Sequence, residues 1–171
     1  MLQLHHYTDE QDKTGYHVFK YIRFILLIVA IHISISLCFS YASKYYLKGI
    51  LGQNTFPWNS TAEEFFAVVL FAPFVETWLL QVLTFNSFSY VANFTNLGKN
   101  TQNYLFVLLS SLLFAGLHTY NWLYTANAFF GGFLLNYSYT YFKKEKFYPY
   151  LTVVSIHLLY NLFGFIFKRV A

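Results

Sequence analysis

The sequence predicts an all-α protein, a multi-pass bundle of about five membrane-spanning helices. Three observations carry that prediction. Of 171 residues, 57% are hydrophobic and 11% charged, where a soluble domain carries about a quarter charged. The apolar residues fall in runs, the longest over residues 65–90, long enough to cross the hydrocarbon core of a bilayer as a helix. The charges gather at the ends and between the runs. A soluble protein with a large apolar core does not account for runs so long and so many. The net charge of +4 is therefore read as topology signal and lipid-headgroup contact. Nucleic-acid binding is excluded, because no soluble face is left to display a basic patch.

Residues 1–20 read as a polar tail and residues 21–171 as one transmembrane domain. His5 and His6 belong to the tail and read as a solvated pair. The first span covers residues 21–42, with Lys20 and Arg23 at its start. Ser40-Tyr41-Ala42 would pass as a signal-peptide cleavage site, but the apolar segment is long for a signal and more spans follow, so an uncleaved span is expected. His32, alone in this span, reads as an interhelical contact before it reads as part of an active centre. Cys38, the one cysteine, reads as a packing residue. The linker 43–61 holds Gly49, Gly52, Pro57 and Trp58, and Trp58 with Tyr45 and Tyr46 suits the membrane–water interface. A capping box then opens the second helix, Ser60 with Glu63 or Thr61 with Glu64. Glu63 and Glu64 are thereby given a role at a helix N-terminus.

The second span, 65–90, contains Phe71-Ala72-Pro73-Phe74-Val75-Glu76. Pro73 removes a backbone hydrogen bond, which predicts a kink or loosened turn just before Glu76. The third span, 104–120, carries the small residues Ser110, Ser111, Ala115 and Gly116, and its stretch Phe114-Ala115-Gly116-Leu117-His118 ends in a histidine. The fourth, 122–142, carries Gly131-Gly132, a sign of close helix packing. The basic loop 143–146 follows, then Pro149 at a favoured helix start. The fifth span, 150–167, contains His157 and Asn161. Placing the N-terminus and the loop 143–146 in the cytoplasm collects Lys13, Lys20, Arg23, Lys99, Lys143, Lys144 and Lys146 there; Lys44, Lys48, Lys168 and Arg169 fall outside. The positive-inside rule favours that orientation.

Four polar residues sit in three of these apolar segments: Glu76, His118, His157 and Asn161. A carboxylate inside a span costs at least a few kcal/mol to insert, so it is a functional-site hypothesis by default. His157 and Asn161 are i and i+4 and share a helix face. Phe114 and His118 have the same spacing, which makes Phe114 a wall for the site. If the three segments pack together, the carboxylate and one imidazole can activate water while the second imidazole and the amide stabilise an oxyanion. Glu76, His118 and His157 are equally a ligand set for a divalent metal such as zinc. A packing role for the buried Glu–His pair, or an ion site in a small transporter, are the alternatives from composition and spacing. No internal repeat of the transporter kind is present.

These stretches resemble the CAAX-protease and bacteriocin-processing (CPBP, or Abi) family of intramembrane proteases, to which the Rce1-type prenyl-protein endopeptidases belong. The family pattern is Glu-Glu-x-x-x-Arg, then Phe-x-x-x-His, then His-x-x-x-Asn or Asp, on successive membrane helices. Here Glu76-Thr77-Trp78-Leu79-Leu80-Gln81, preceded by Ala72-Pro73, stands for the first. Phe114 to His118 and His157 to Asn161 match the other two. The resemblance implies an endopeptidase of the membrane, in bacteria the plasma membrane, acting on a hydrophobic or lipid-modified peptide. Glu76 and His118 would activate water, and His157 and Asn161 would hold the oxyanion. It leaves open whether a metal takes part. The first motif departs from the pattern: Thr77 replaces the second Glu and Gln81 the Arg. Losing both partners avoids the stranded buried charge that losing one would leave, so a neutral Thr77–Gln81 contact is expected in place of an ion pair. The alternative is a degenerate, non-catalytic member acting as a membrane scaffold or bacteriocin-immunity protein.

Overall fold

The computed structural model of the chain describes residues 2–48 and 57–170, with side chains from Val18 onward. The side chains of His5 and His6, and the linker glycines Gly49 and Gly52, lie outside the described residues. Five helices make up the described chain: α1 (Leu2–Tyr46), α2 (Thr61–Ala92), α3 (Lys99–Gly116), α4 (Trp122–Lys144) and α5 (Pro149–Val170). Three segments are long and apolar enough to cross a membrane: Val18–Tyr46, Thr61–Ala92 and Pro149–Val170. The more polar α3 and α4 are the helices whose Ser110, Ser111, Asn136 and Ser138 face the interior. The tail expected at residues 1–20 is not a separate element. The backbone is helical from Leu2 to Tyr46 without a break.

The packing follows from which faces are greasy on both sides. Phe106, Leu135, Phe142, Val153 and Ile156 are fully buried between helices. Phe66, Phe71, Trp78, Leu109 and Leu112 are as apolar but point outward. Such a surface would be an association hazard in water; around a bundle of spans it faces lipid. α4 touches α1, α3 and α5, and α5 touches α1, α2 and α4. Gly132 permits one of these close approaches, since a Cβ there would lie 2.8 Å from the Cβ of Phe114 on α3.

The caps decide where the helices begin. Ser60 Oγ accepts from the Glu63 N–H at 3.1 Å, while the Glu63 carboxylate accepts from the Asn59 N–H at 2.8 Å. Of the two pairs expected, Ser60 with Glu63 is the one that caps, its return bond going to the Asn59 N–H and not to that of Ser60. Glu64 instead pairs with Lys168 at 3.0 Å and Arg169 at 2.7 Å, closing the start of α2 on the end of α5. At the opposite end of the bundle Lys20 pairs with Glu145 at 2.9 Å.

Candidate functional site

The site begins with proline chemistry in α2. Two π-helical stretches, Phe65–Phe71 and Trp78–Leu83, flank the α-helical turns Ala72–Thr77. In the first stretch the ladder runs from residue i to i−5, as in the bond from the Ala72 N–H to the Ala67 carbonyl. The next bond in that register would run from residue 73 to the Val68 carbonyl, and Pro73 has no N–H. Asn161 Nδ2 donates to that carbonyl instead, at 2.8 Å. The loosened turn expected at Pro73 therefore takes the form of a π-helical turn repaired from α5.

Glu76 follows within one turn. Its Oε2 lies 3.9 Å from His118 Nε2 and 3.7 Å from His157 Nε2. His157 is buried on α5, one turn before Asn161. His118 is not on a helix, contrary to the span expected over 104–120: α3 stops at Gly116, and the His118 N–H bonds back to the Ala115 carbonyl at 3.0 Å. Its approach to Phe114 survives by another route. Nδ1 lies 2.8 Å from the Phe114 carbonyl, and the two rings stack at 4.5 Å. A carbonyl only accepts, so Nδ1 carries the proton and Nε2 presents a lone pair toward Glu76.

Thr77 and Gln81 both face the interior and are fully buried. The direct contact expected between them is not made, because the π-helical turns that start at Trp78 separate what i, i+4 spacing would align. Gln81 Nε2 donates instead to Asn136 Oδ1 at 3.3 Å. That oxygen also accepts from Ser110 Oγ at 3.0 Å, so Gln81 belongs to a buried network between α2, α3 and α4. Among the described residues Thr77 Oγ1 and Gln81 Oε1 have no hydrogen-bond partner.

As arranged, these residues do not fit a metal. Among the described residues no group of three His, Cys, Asp or Glu side chains is placed to hold an ion. The Glu76 spacings of 3.7 and 3.9 Å exceed the roughly 3.3 Å between neighbouring ligands on a tetrahedral zinc with bonds of about 2.0 Å.

Sequence reasoning missed part of the surroundings. Beside His118 and Asn161 lies a cavity of about 70 Å³, walled also by His32, Tyr124, Asn127 and Tyr160. His32 lies flat on Tyr160, ring centroids 3.4 Å apart, and Gly131 leaves room for it. Asn127 and Ser36 meet the Tyr160 hydroxyl from α4 and α1. The one available signal was the lone histidine of the first span; its partners lie about 100 residues or more further along the chain.

The family model described as type II CAAX prenyl endopeptidase Rce1-like matches residues 58–163. That segment holds Glu76, His118, His157 and Asn161 and leaves out α1. No curated protein and no solved structure matches the chain. With well over half of its length matched and the three family motifs brought to one place, this integral membrane protein belongs to the Rce1-like family of type II CAAX prenyl endopeptidases, a family of proteases.

Proposed function

We propose that the chain is an intramembrane endopeptidase whose nucleophile is a water held between Glu76 and His118. One observation carries the proposal: two acceptors, the Glu76 carboxylate and the bare Nε2 of His118, face each other at 3.9 Å. That is too long for a direct hydrogen bond. A molecule that donates to both would bridge them, and water has two O–H groups. As the water oxygen attacks the peptide carbonyl carbon, its proton passes to Glu76. Collapse of the tetrahedral intermediate breaks the C–N bond, and the same proton goes to the leaving nitrogen. His118 holds the second O–H, and charge that develops on its ring is favoured by the Phe114 carbonyl and by the negative end of α3.

The oxyanion falls to His157 and Asn161. Among the described residues His157 Nδ1 is buried without a partner, so the proton is assigned to Nε2, the atom 3.7 Å from Glu76. Asn161 spends one amide hydrogen on Val68 and keeps the other. Thr77, Gln81 and Phe114 support the site from behind. The substrates that suit it are hydrophobic or lipid-modified peptides presented at membrane depth.

The test is cleavage by the purified protein in liposomes, with a prenylated CAAX peptide and an unmodified apolar peptide as probes. Glu76→Gln is expected to lower kcat at least a hundredfold, on the order expected for a lost general base, with thermal stability little changed. Undiminished cleavage by that variant would remove Glu76 from the reaction. A biological role that survives the variant would point to the scaffold reading.

A further inference from the structure

Helix α1 lies outside the segment that the family model matches, yet it reaches the site. Ser36 Oγ donates to Asn127 Oδ1 at 3.0 Å. Its only proton is thereby used, so the Tyr160 hydroxyl donates to Ser36, at 2.7 Å. Asn127 Nδ2 approaches the Tyr160 oxygen at 3.5 Å. The three side chains close a ring of hydrogen bonds joining α1, α4 and α5. One turn before Ser36, His32 stacks face to face on the same tyrosine. The tyrosine is thus locked without help from His32's nitrogens. His32 is 3% exposed, and among the described residues its Nδ1 has no hydrogen-bond partner.

A neutral imidazole always carries one donor and one acceptor. Stacking alone would be served as well by a phenyl ring, at no cost in buried polarity. The cavity that His32 lines is also lined by His118, Tyr124, Asn127 and Asn161. At about 70 Å³ it is polar and large enough for water, which needs roughly 10–15 Å³ and two or more polar partners. We propose that this cavity is an internal water site anchored by the His32 imidazole, and that it replenishes the water consumed at Glu76 and His118. His32 is then a positioning residue supplied by α1. Its role in hydrolysis rests on the function proposed above; the water site itself does not.

His32→Phe separates the two jobs of the ring, because it keeps the stack on Tyr160 and removes both nitrogens. The expected result in liposomes is a kcat lowered roughly tenfold to a hundredfold, the scale of a misplaced reactant. KM and the thermal midpoint stay near those of the unmodified protein. His32→Ala is expected to lose the stack as well and to lower the midpoint. A second readout does not depend on activity: solid-state NMR of protein labelled with 15N-histidine, in which magnetisation from water reaches the ring nitrogens whose signals vanish in His32→Phe. Full kcat in His32→Phe, or no transfer from water to His32, overturns the proposal. Transfer in a protein that cleaves nothing upholds the water site and counts instead against the hydrolase.

Discussion

At the scale of single residues, the site depends on a repair. Pro73 deprives the Val68 carbonyl of its partner, and Asn161 supplies one from another helix. Asn161→Ala should then cost about 1 kcal/mol, the low end of the penalty for an unsatisfied acceptor, because the bond is only partly buried. Pro73→Ala restores the missing N–H, so in that background the same substitution should cost much less. Unfolding free energies of the four proteins in mild detergent measure the coupling, and additive losses would show the two residues to be independent. The motifs made Glu76, His157 and Asn161 legible, because charge and amide groups in apolar runs stand out. The bond from Asn161 to Val68 was not legible. Pro73 announces that a carbonyl is left over, but only the fold says which side chain, 93 positions away, comes to meet it. The expected Thr77–Gln81 contact failed for a related reason: it assumed 3.6 residues per turn where the backbone is locally π-helical.

At the scale of helices, α3 and α4 matter through where they stop and how closely they approach. Apolarity alone extended α3 to residue 120, but the chain leaves the helix at Gly116 and the last carbonyls turn to His118. Hydropathy does not register that exchange, since a histidine bonded to a helix end reads the same as one on a helix. The pair Gly131-Gly132 was correctly read as a packing signal; the partners, His32 and Phe114, were beyond its reach. Gly132→Ala is expected to destabilise by about 1–3 kcal/mol, as overpacking of a tight contact does. The clash is with a Cβ, which cannot rotate away. Because Phe114 backs the His118 ring, cleavage should fall in the same variant, and thermal unfolding beside a liposome assay reads both effects.

For the whole molecule, the all-helical membrane fold was the most legible feature, since it needs only composition and run length. Orientation is a separate question, and from the distribution of basic residues we propose that the N-terminus and the loop 143–146 lie in the cytoplasm. In sealed cells lacking Cys38, a cysteine placed at Lys146 should resist an impermeant maleimide until the membrane is opened. One placed at Lys168 should react at once. The reverse pattern would invert the topology.

The early end of α3 has a consequence for how a substrate arrives. Beyond Glu76, toward its N-terminus, α2 continues through Phe65–Phe71 with α5 as its only helical neighbour among the described residues. Those two are fastened together by Glu64 with Lys168 and Arg169, by Asn161 with Val68, and by Tyr150 with the Phe74 carbonyl. That seam is stitched shut. Among the described residues no side-chain hydrogen bond or ion pair fastens the other flank of that stretch. For the endopeptidase proposed above, that flank is the side from which an apolar peptide would slide out of the lipid toward the Glu76 carboxylate.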